Sequence, residues 1–595
     1  MPRTYATTVE LFQATATSGR DRPFLGVRRG EAWTWQTYGE IAAQVDRFRA
    51  GLALLGVGKG DRVAVIANNR VEWAIGLFAV QGLGAAYVPM YEQQLDRDWQ
   101  FILADSGAKV ALVANQGIAK RVEGFKKDLP ALAHVVVFDA PPEDASSFAA
   151  VCAKGSGQPV PVAAVTPDDL ASLVYTSGTT GNPKGVELTH GNVAHDVCSL
   201  TALVDIGPND RSLAFLPWAH VYGGQSELLG VVYGGGSAAI CEATDKIVPY
   251  LAEVKPTFLF AVPRIWNKIY DGVQKQMRAK PPIIQKLFAA AMAAKTKQKA
   301  GTQLGLMERL AVFLGEKLIF GKIREKFGGR LKYACSGAAA LSPDVAEFVD
   351  NLGILVLEGY GMTETSSAAT ASLAGQRRVG SVGKAIPGVT IKLDKQAPGA
   401  DEENGEIVVY GPVVMRGYHR LPEDTKAAMT ADGGMRTGDL GRFDKDGFLY
   451  ITGRVKELYK LENGKYVAPA PIEERLALSP YITQIMINGS GKPHNVAIIV
   501  PEMTNLREWC AEKGVTGDPL ASPEVKQLIA GELEKYSDEI KGYEKIRDFL
   551  LVSEEFSTAN DMLTPSLKIK RRVVMKKYGD ALDALYKKSP VAKSA

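Results

Sequence analysis

Through the first 140 residues, short apolar runs alternate with segments whose apolar side chains recur every three or four places. From Tyr38 onward, Ile41, Val45, Phe48, Leu52 and Leu55 line one side of a helix, and Gly56 and Gly58 end it. Residues 63–67 then read as a strand, 71–80 as a helix and 85–89 as a second strand; 110–113 and 135–138 continue the series. Uniformly apolar strands separated by amphipathic helices bury both faces of a sheet. The expected fold class is therefore α/β, with mostly parallel sheets covered by helices. The Pro-, Ala- and Ser-rich stretch 140–167 is expected as an exposed connection. Residues 225–238 are apolar and rich in glycine, which suits close approach of a ligand and equally a helix and strand packed in the core.

A second break falls near Gly453, followed by a lysine-rich loop, a strand pair at 482–488 and 495–500, and charged helical patterns. The expected domains are 1–454, large and N-terminal, and 455–595, a smaller α/β domain. With 46% hydrophobic and 23% charged residues, the chain has the composition of a folded protein, which excludes disorder and collagen-like repeats. Seventy basic and 66 acidic residues leave a net charge of +4, too balanced for a dedicated nucleic-acid binder. Cys152, Cys198, Cys241, Cys335 and Cys510 show no CxxC spacing, and the six histidines show no zinc spacing, so free thiols in a reducing compartment are expected. No signal-peptide run opens the sequence, and the longest uncharged stretch, 73–91, is broken by Gly and Pro. A cytoplasmic protein is expected.

The sharpest local signal is YTSGTTGNPKG at 175–185, directly after a strand-like run. A loop built almost wholly of Gly, Ser, Thr, Asn and Pro offers backbone N–H groups and hydroxyls to a polyphosphate, and Lys184 adds a point charge. It is not a Walker A loop, because Pro183 stands where that motif needs Gly and Gly185 where it needs Ser or Thr. The string resembles the phosphate loop of the adenylate-forming superfamily, which contains acyl-CoA synthetases, luciferase and nonribosomal adenylation domains. Three further segments resemble the family's motifs and follow in its order: EGYGMTET (358–365), RTGDLGRFDKDGFLYITGRVKE (436–457) and TPSLKIKRR (564–572).

The resemblance implies ATP, Mg2+ and CoA as cofactor and co-substrates. It assigns Thr176, Ser177, Gly178, Thr179, Thr180, Gly181 and Lys184 to the phosphates. Glu358, Gly359, Tyr360 and Gly361 go to the nucleotide, with Tyr360 stacked on adenine. Gly337, in the small-residue segment ACSGA, is implied to pass between nucleotide and acyl group. Thr363 and Glu364 are implied near the α-phosphate, and Thr179 and Glu364 near the metal. Asp439 should bridge the ribose hydroxyls, and Arg454 should contact ribose or phosphate. Lys456 is the implied hinge, about which the smaller domain is mobile, and Lys460 lies in the loop leading to the CoA step. His220, with Trp218 beside it, is implied at the acyl pocket.

Lys568 is the implied catalytic cation for adenylate formation, with Lys570 a close competitor. It follows Leu567, where many relatives carry Gly. An already ionised carboxylate needs no general base to attack a phosphate, but it does need a cation against anion–anion repulsion.

The wording of 456–469 and 564–572 is most similar to long-chain acyl-CoA synthetases. A fatty acid is therefore the expected substrate; a ligase that stops at acyl-AMP, one serving a carrier protein, and a silent acyl- or nucleotide-binding scaffold are the alternatives. Residues 268–332 carry a net charge of +11, against −7 for the rest of the chain, interleaved with Ile283, Leu287, Phe288, Leu310, Phe313 and Leu318. Such a stretch suits peripheral contact with an anionic membrane, with Lys295, Lys297 and Lys299 as contact cations.

Overall fold

The computed structural model describes residues 4–176, 182–538, 540–564 and 566–588. It divides into two compact units. One comprises 1–392, 408–437 and 447–449; the other comprises 393–407, 438–446 and 450–595.

The first unit is built on three sheets. In the seven-stranded sheet the order is Gly417–Tyr418, Lys184–Thr189, Leu170–Thr176, Ala86–Met90, Arg62–Ile66, Val110–Val113 and His134–Val137. From Leu170–Thr176 to His134–Val137 all neighbours are parallel. The two strands at the other edge run antiparallel. A four-stranded sheet orders Ala32–Thr37, Pro23–Arg29, Ser237–Ile240 and Arg211–Ala214. A five-stranded sheet orders Phe258–Ala261, Tyr333–Ser336, Val356–Tyr360, Thr370–Ala371 and Lys384–Ala385. This is the mostly parallel, helix-covered α/β architecture that the alternation of patterns predicts.

Local chemistry explains the individual elements. The helix Tyr38–Leu54 opens with a reciprocal capping box between Thr37 and Glu40 and closes before Gly56, whose φ of +82° suits glycine. Val71–Gly82 is largely apolar around its circumference because everything from Trp73 onward is buried. The stretch 140–167 is more than a connection: it contains the helix Phe148–Gly155, capped by Ser147, which packs on Tyr38–Leu54. The two backbones meet so closely that a Cβ on Gly51 would stand 2.2 Å from the Val151 carbonyl oxygen. Residues 225–238 form the end of a π-helical run, Tyr222–Leu229, then Gly230–Gly234, then the strand Ser237–Ile240.

The second unit carries a three-stranded sheet in which Ile482–Asn488 and Asn495–Pro501 are antiparallel and Ile546–Leu551 adds parallel to the latter. Alternate residues serve two cores. Ala497 and Ile499 face Ile485, Leu506 and Ile529, while Val496, Ile498 and Val500 face Phe556 and, on the C-terminal helix Arg571–Lys588, Val574 and Leu582. All five cysteines are free. Among the described residues, no helix is long and apolar enough to cross a membrane.

Candidate active site

Lys184 opens the strand Lys184–Thr189, antiparallel to Leu170–Thr176; Ser177, Gly178, Thr179, Thr180 and Gly181 lie outside the described residues. Thr176 ends the incoming strand and its hydroxyl reaches the Lys184 carbonyl at 3.5 Å. The Lys184 ammonium pairs with Asp424 and sits 5.1 Å from the centroid of the Tyr418 ring. The Tyr418 hydroxyl donates to Glu364 Oε1 at 2.8 Å. Lys184 and the Glu364 carboxylate are thus joined through one aromatic side chain that sequence reasoning did not single out. A bond of this kind to a charged acceptor contributes about 1.5–3 kcal/mol.

Glu364 and Thr363 are buried in a short 3₁₀ turn, Thr363–Thr365, at the end of the strand that carries Glu358, Gly359 and Tyr360. Several contacts hold this turn. The Met415 N–H donates to the Glu364 carbonyl at 2.9 Å, and Asp196 Oδ1 accepts the Ala368 N–H at 2.9 Å. The hydroxyls of Ser226 and Ser367 meet at 2.6 Å. Gly361 is required by space, since a Cβ there would lie 2.0 Å from the Ser367 carbonyl oxygen. Burial pushes the Glu358 carboxyl up to about 7, although Oε1 accepts the Gly380 N–H at 3.4 Å. Burial likewise raises Asp196 and Glu227 to about 8, so both are held as neutral acids near pH 7.

His220 is half-buried at the start of the Tyr222–Leu229 run. Its Nδ1 accepts the Tyr222 N–H at 3.2 Å, which puts the proton of the neutral ring on Nε2. Trp218 is buried against Trp73, and its backbone N–H donates to Asn69 Oδ1 at 2.8 Å. Gly337 follows the strand Tyr333–Ser336, and a Cβ there would touch the Tyr222 ring at 3.1 Å. The first unit therefore brings together the Gly337 segment and the His220–Tyr222 turn. It also brings together Lys184 and Glu364.

The second unit holds the other candidates. Asp439 is buried, and its Oδ1 accepts a bond from Arg454 Nε at 2.6 Å; the Arg454 guanidinium also lies 3.7 Å from Glu457. Lys456 is exposed in the turn Val455–Glu457, and Lys460 lies 5.4 Å from the Tyr466 ring centroid. Lys568 is exposed; its backbone N–H donates to Thr564 Oγ1 at 3.0 Å and its carbonyl accepts the Thr564 N–H at 2.8 Å. Its neighbours in the motif have structural partners: Lys570 pairs with Asp561 at 2.6 Å and Arg571 with Glu473. Leu567 has φ +63°, a left-handed conformation that glycine adopts without cost.

Among the described residues, no cluster of three His, Cys, Asp or Glu side chains forms a metal site. Glu364 alone, with one oxygen on Tyr418, fits an ion such as Mg2+ that keeps several waters and takes most other ligands from phosphates.

Residues 12–419 match the family described as AMP-binding enzyme, and 457–590 match the AMP-binding enzyme C-terminal domain. The chain is 31% identical to the peroxisomal long chain acyl-CoA synthetase 7 of Arabidopsis thaliana, over 93% of this chain and 82% of the relative. It is 33% identical to a long-chain-fatty-acid–CoA ligase of Mycobacterium bovis, over 93% of both chains. The crystal structure of the adenylation domain of a carboxylate reductase from Mycobacterium chelonae superposes with TM-score 0.81 at 25% identity, covering 98% of this chain and 91% of that one. The chain belongs to the AMP-binding enzyme family. Within it, this protein is an ATP-dependent acid–thiol ligase.

Proposed function

We propose that the acid is a long-chain fatty acid and the thiol CoA, joined through an acyl-adenylate. The observation that carries this reading is identity above 30%, over nearly the whole chain, to ligases and synthetases named for long-chain acids. A carboxylate oxygen of the fatty acid attacks the α-phosphorus of ATP, and pyrophosphate leaves with the electron pair of the broken P–O bond. The CoA thiol, losing its proton, then attacks the acyl carbon, and AMP leaves.

Lys184 holds phosphate charge, and Tyr360 and Asp439 hold adenine and ribose. Lys568 neutralises the charge that builds as two anions meet. Mg2+, held by Glu364 and Thr179 with the phosphates, would supply further neutralisation of the polyphosphate. After adenylation the domain carrying Lys568 turns about Lys456, withdraws the lysine and brings the loop 462–469 to the thiol step.

Lys568→Ala tests the assignment. It should lower pyrophosphate release from acid and ATP at least a hundredfold while leaving conversion of pre-made acyl-AMP to acyl-CoA within about threefold. Equal loss in both half-reactions would remove the role.

Peripheral contact with anionic lipid is part of the same reading, with a change of residues. Lys295, Lys297 and Lys299 are ion-paired with Glu316, Glu308 and Asp350 at 3.2, 2.6 and 2.7 Å, so they are poor contact cations. The region also exposes large apolar side chains, Leu306 (84%), Ile283 (75%), Met307 (74%) and Phe313 (62%), beside other exposed cations such as Lys280, Lys286 and Lys317. Replacing Leu306, Met307 and Phe313 by Ser should abolish sedimentation with phosphatidylglycerol vesicles, and unchanged sedimentation would exclude this surface.

A further inference from the structure

We propose that Tyr418 is a positioning residue for the nucleotide, holding Lys184 and Glu364 at a fixed separation so that cation and carboxylate meet the polyphosphate as one preformed unit. This inference rests on the proposed roles of Lys184 and Glu364. Tyr418 lies in a two-residue strand that pairs antiparallel with the strand after the phosphate loop, Gly417 opposite Glu187 and Tyr418 opposite Val186. Its backbone N–H donates to Thr425 Oγ1 at 2.9 Å, and the Thr425 hydroxyl donates onward to the Leu421 carbonyl at 2.9 Å. The loop between is thereby folded back, which brings Asp424 to Lys184. The half-buried phenol then reaches in two directions. Its O–H donates to Glu364 Oε1 at 2.8 Å, and its ring faces the Lys184 ammonium, 5.1 Å from the centroid.

Each contact removes one freedom that would otherwise be lost on binding. The Glu364 carboxylate keeps one oxygen on the phenol and turns the other away from it. The lysine, a flexible four-carbon stem, is confined between the ring and Asp424. Asp424 has a second consequence: an incoming phosphate must take Lys184 from an existing carboxylate partner. The ring, being uncharged, can keep its hold on the ammonium during that exchange. Tyr418 is thus fitted to guide Lys184 from Asp424 to the nucleotide.

Tyr418→Phe keeps the ring and removes the Glu364 bond; Tyr418→Leu removes both. Binding of MgATP in the absence of acid, followed by titration calorimetry on the full chain, should weaken about tenfold in the Phe variant and further in the Leu variant. The KM for ATP should rise more than kcat falls, and the conversion of pre-made acyl-AMP to acyl-CoA should stay within about threefold of wild type. A merely structural role would lower both half-reactions together with the thermal midpoint. MgATP binding by Tyr418→Phe equal to wild type would overturn the proposal, as would parallel loss in both half-reactions. Lys184→Ala and Glu364→Gln, measured alongside, separate the two layers. If they weaken MgATP binding and Tyr418→Phe does not, only the positioning role fails; if they too bind like wild type, the reading of the site fails.

Discussion

The lysine motif is anchored by Arg571, and truncating that side chain is the most quantitative perturbation of the second unit. The guanidinium bonds Glu473 twice, through Nη1 at 2.9 Å and through Nη2, and also reaches the Ile487 carbonyl at 3.2 Å. Glu473 is buried and accepts the Ile487 N–H at 2.6 Å. Arg571→Ala therefore leaves a carboxylate inside the fold with only a neutral donor. Removing one partner of a buried ion pair costs about 3–5 kcal/mol. The Arg571 side chain keeps 25% of its exposure, so water partly replaces it and the cost falls to or below the lower end, about 2–3 kcal/mol. Against a total of about 5–15 kcal/mol for a domain, this is a large fraction.

Of the seven tryptophans, Trp509 alone lies beyond residue 450, packed at the edge of that core. Its resonance in protein labelled with fluorotryptophan therefore reports urea unfolding of the second unit separately. With a slope of about 2 kcal/mol/M, the midpoint for Trp509 should fall by roughly 1–1.5 M. The tryptophans of the first unit should not move. Adding Glu473→Ala to Arg571→Ala should cost little more, because the stranded charge is gone. A loss below about 0.5 kcal/mol for Arg571→Ala, or full additivity of the pair, would refute the anchoring argument.

Three other perturbations follow from the same contacts. Gly361→Ala should lower ATP affinity at least tenfold with thermal stability reduced, since its Cβ would strike the Ser367 carbonyl at 2.0 Å and displace the turn carrying Glu364; nucleotide titration measures it. Asp196 and Glu227 are raised to about 8 in the fold, so the folded state holds their protons while the unfolded state has released them above about pH 4. Stability should fall as pH rises from about 4 toward 8, by up to roughly 1.4 kcal/mol per unit per group, and Asp196→Asn or Glu227→Gln should flatten that slope in denaturant titrations. Leu567→Gly should relieve the left-handed residue before Lys568; strain relief of about 1–2 kcal/mol less about 0.5–1 kcal/mol of glycine entropy leaves a gain of roughly 0–1.5 kcal/mol in stability, read by urea titration.

The sheet architecture was readable because its cause is periodic: the strand residues 63–66, 86–90 and 110–113 are apolar throughout and the helix Tyr38–Leu54 keeps one apolar face. The helix Phe148–Gly155 was not, because it is short, Ala-rich and held by backbone contact at Gly51 and Gly155, and a close approach across a hundred residues leaves no local pattern. Charge counting found the basic segment but not that Lys295, Lys297 and Lys299 already have carboxylate partners, which depends on tertiary placement. The GYHRLPEDT segment, 417–425, holds Tyr418 and Asp424. Nothing in its spacing announces a bond to a glutamate 54 residues earlier or an ion pair to a lysine 240 residues earlier. Leu567 was legible in part. The sequence shows a leucine where many relatives carry glycine, and the φ of +63° gives the physical reason why glycine suits that position.

The most direct measurement is AMP formation from MgATP across saturated acids from acetate to stearate, with and without CoA. Turnover that rises with chain length and requires CoA is the expected result for a long-chain acid–CoA ligase. Acyl-AMP accumulating equally with and without CoA, or no AMP with any acid, would contradict it.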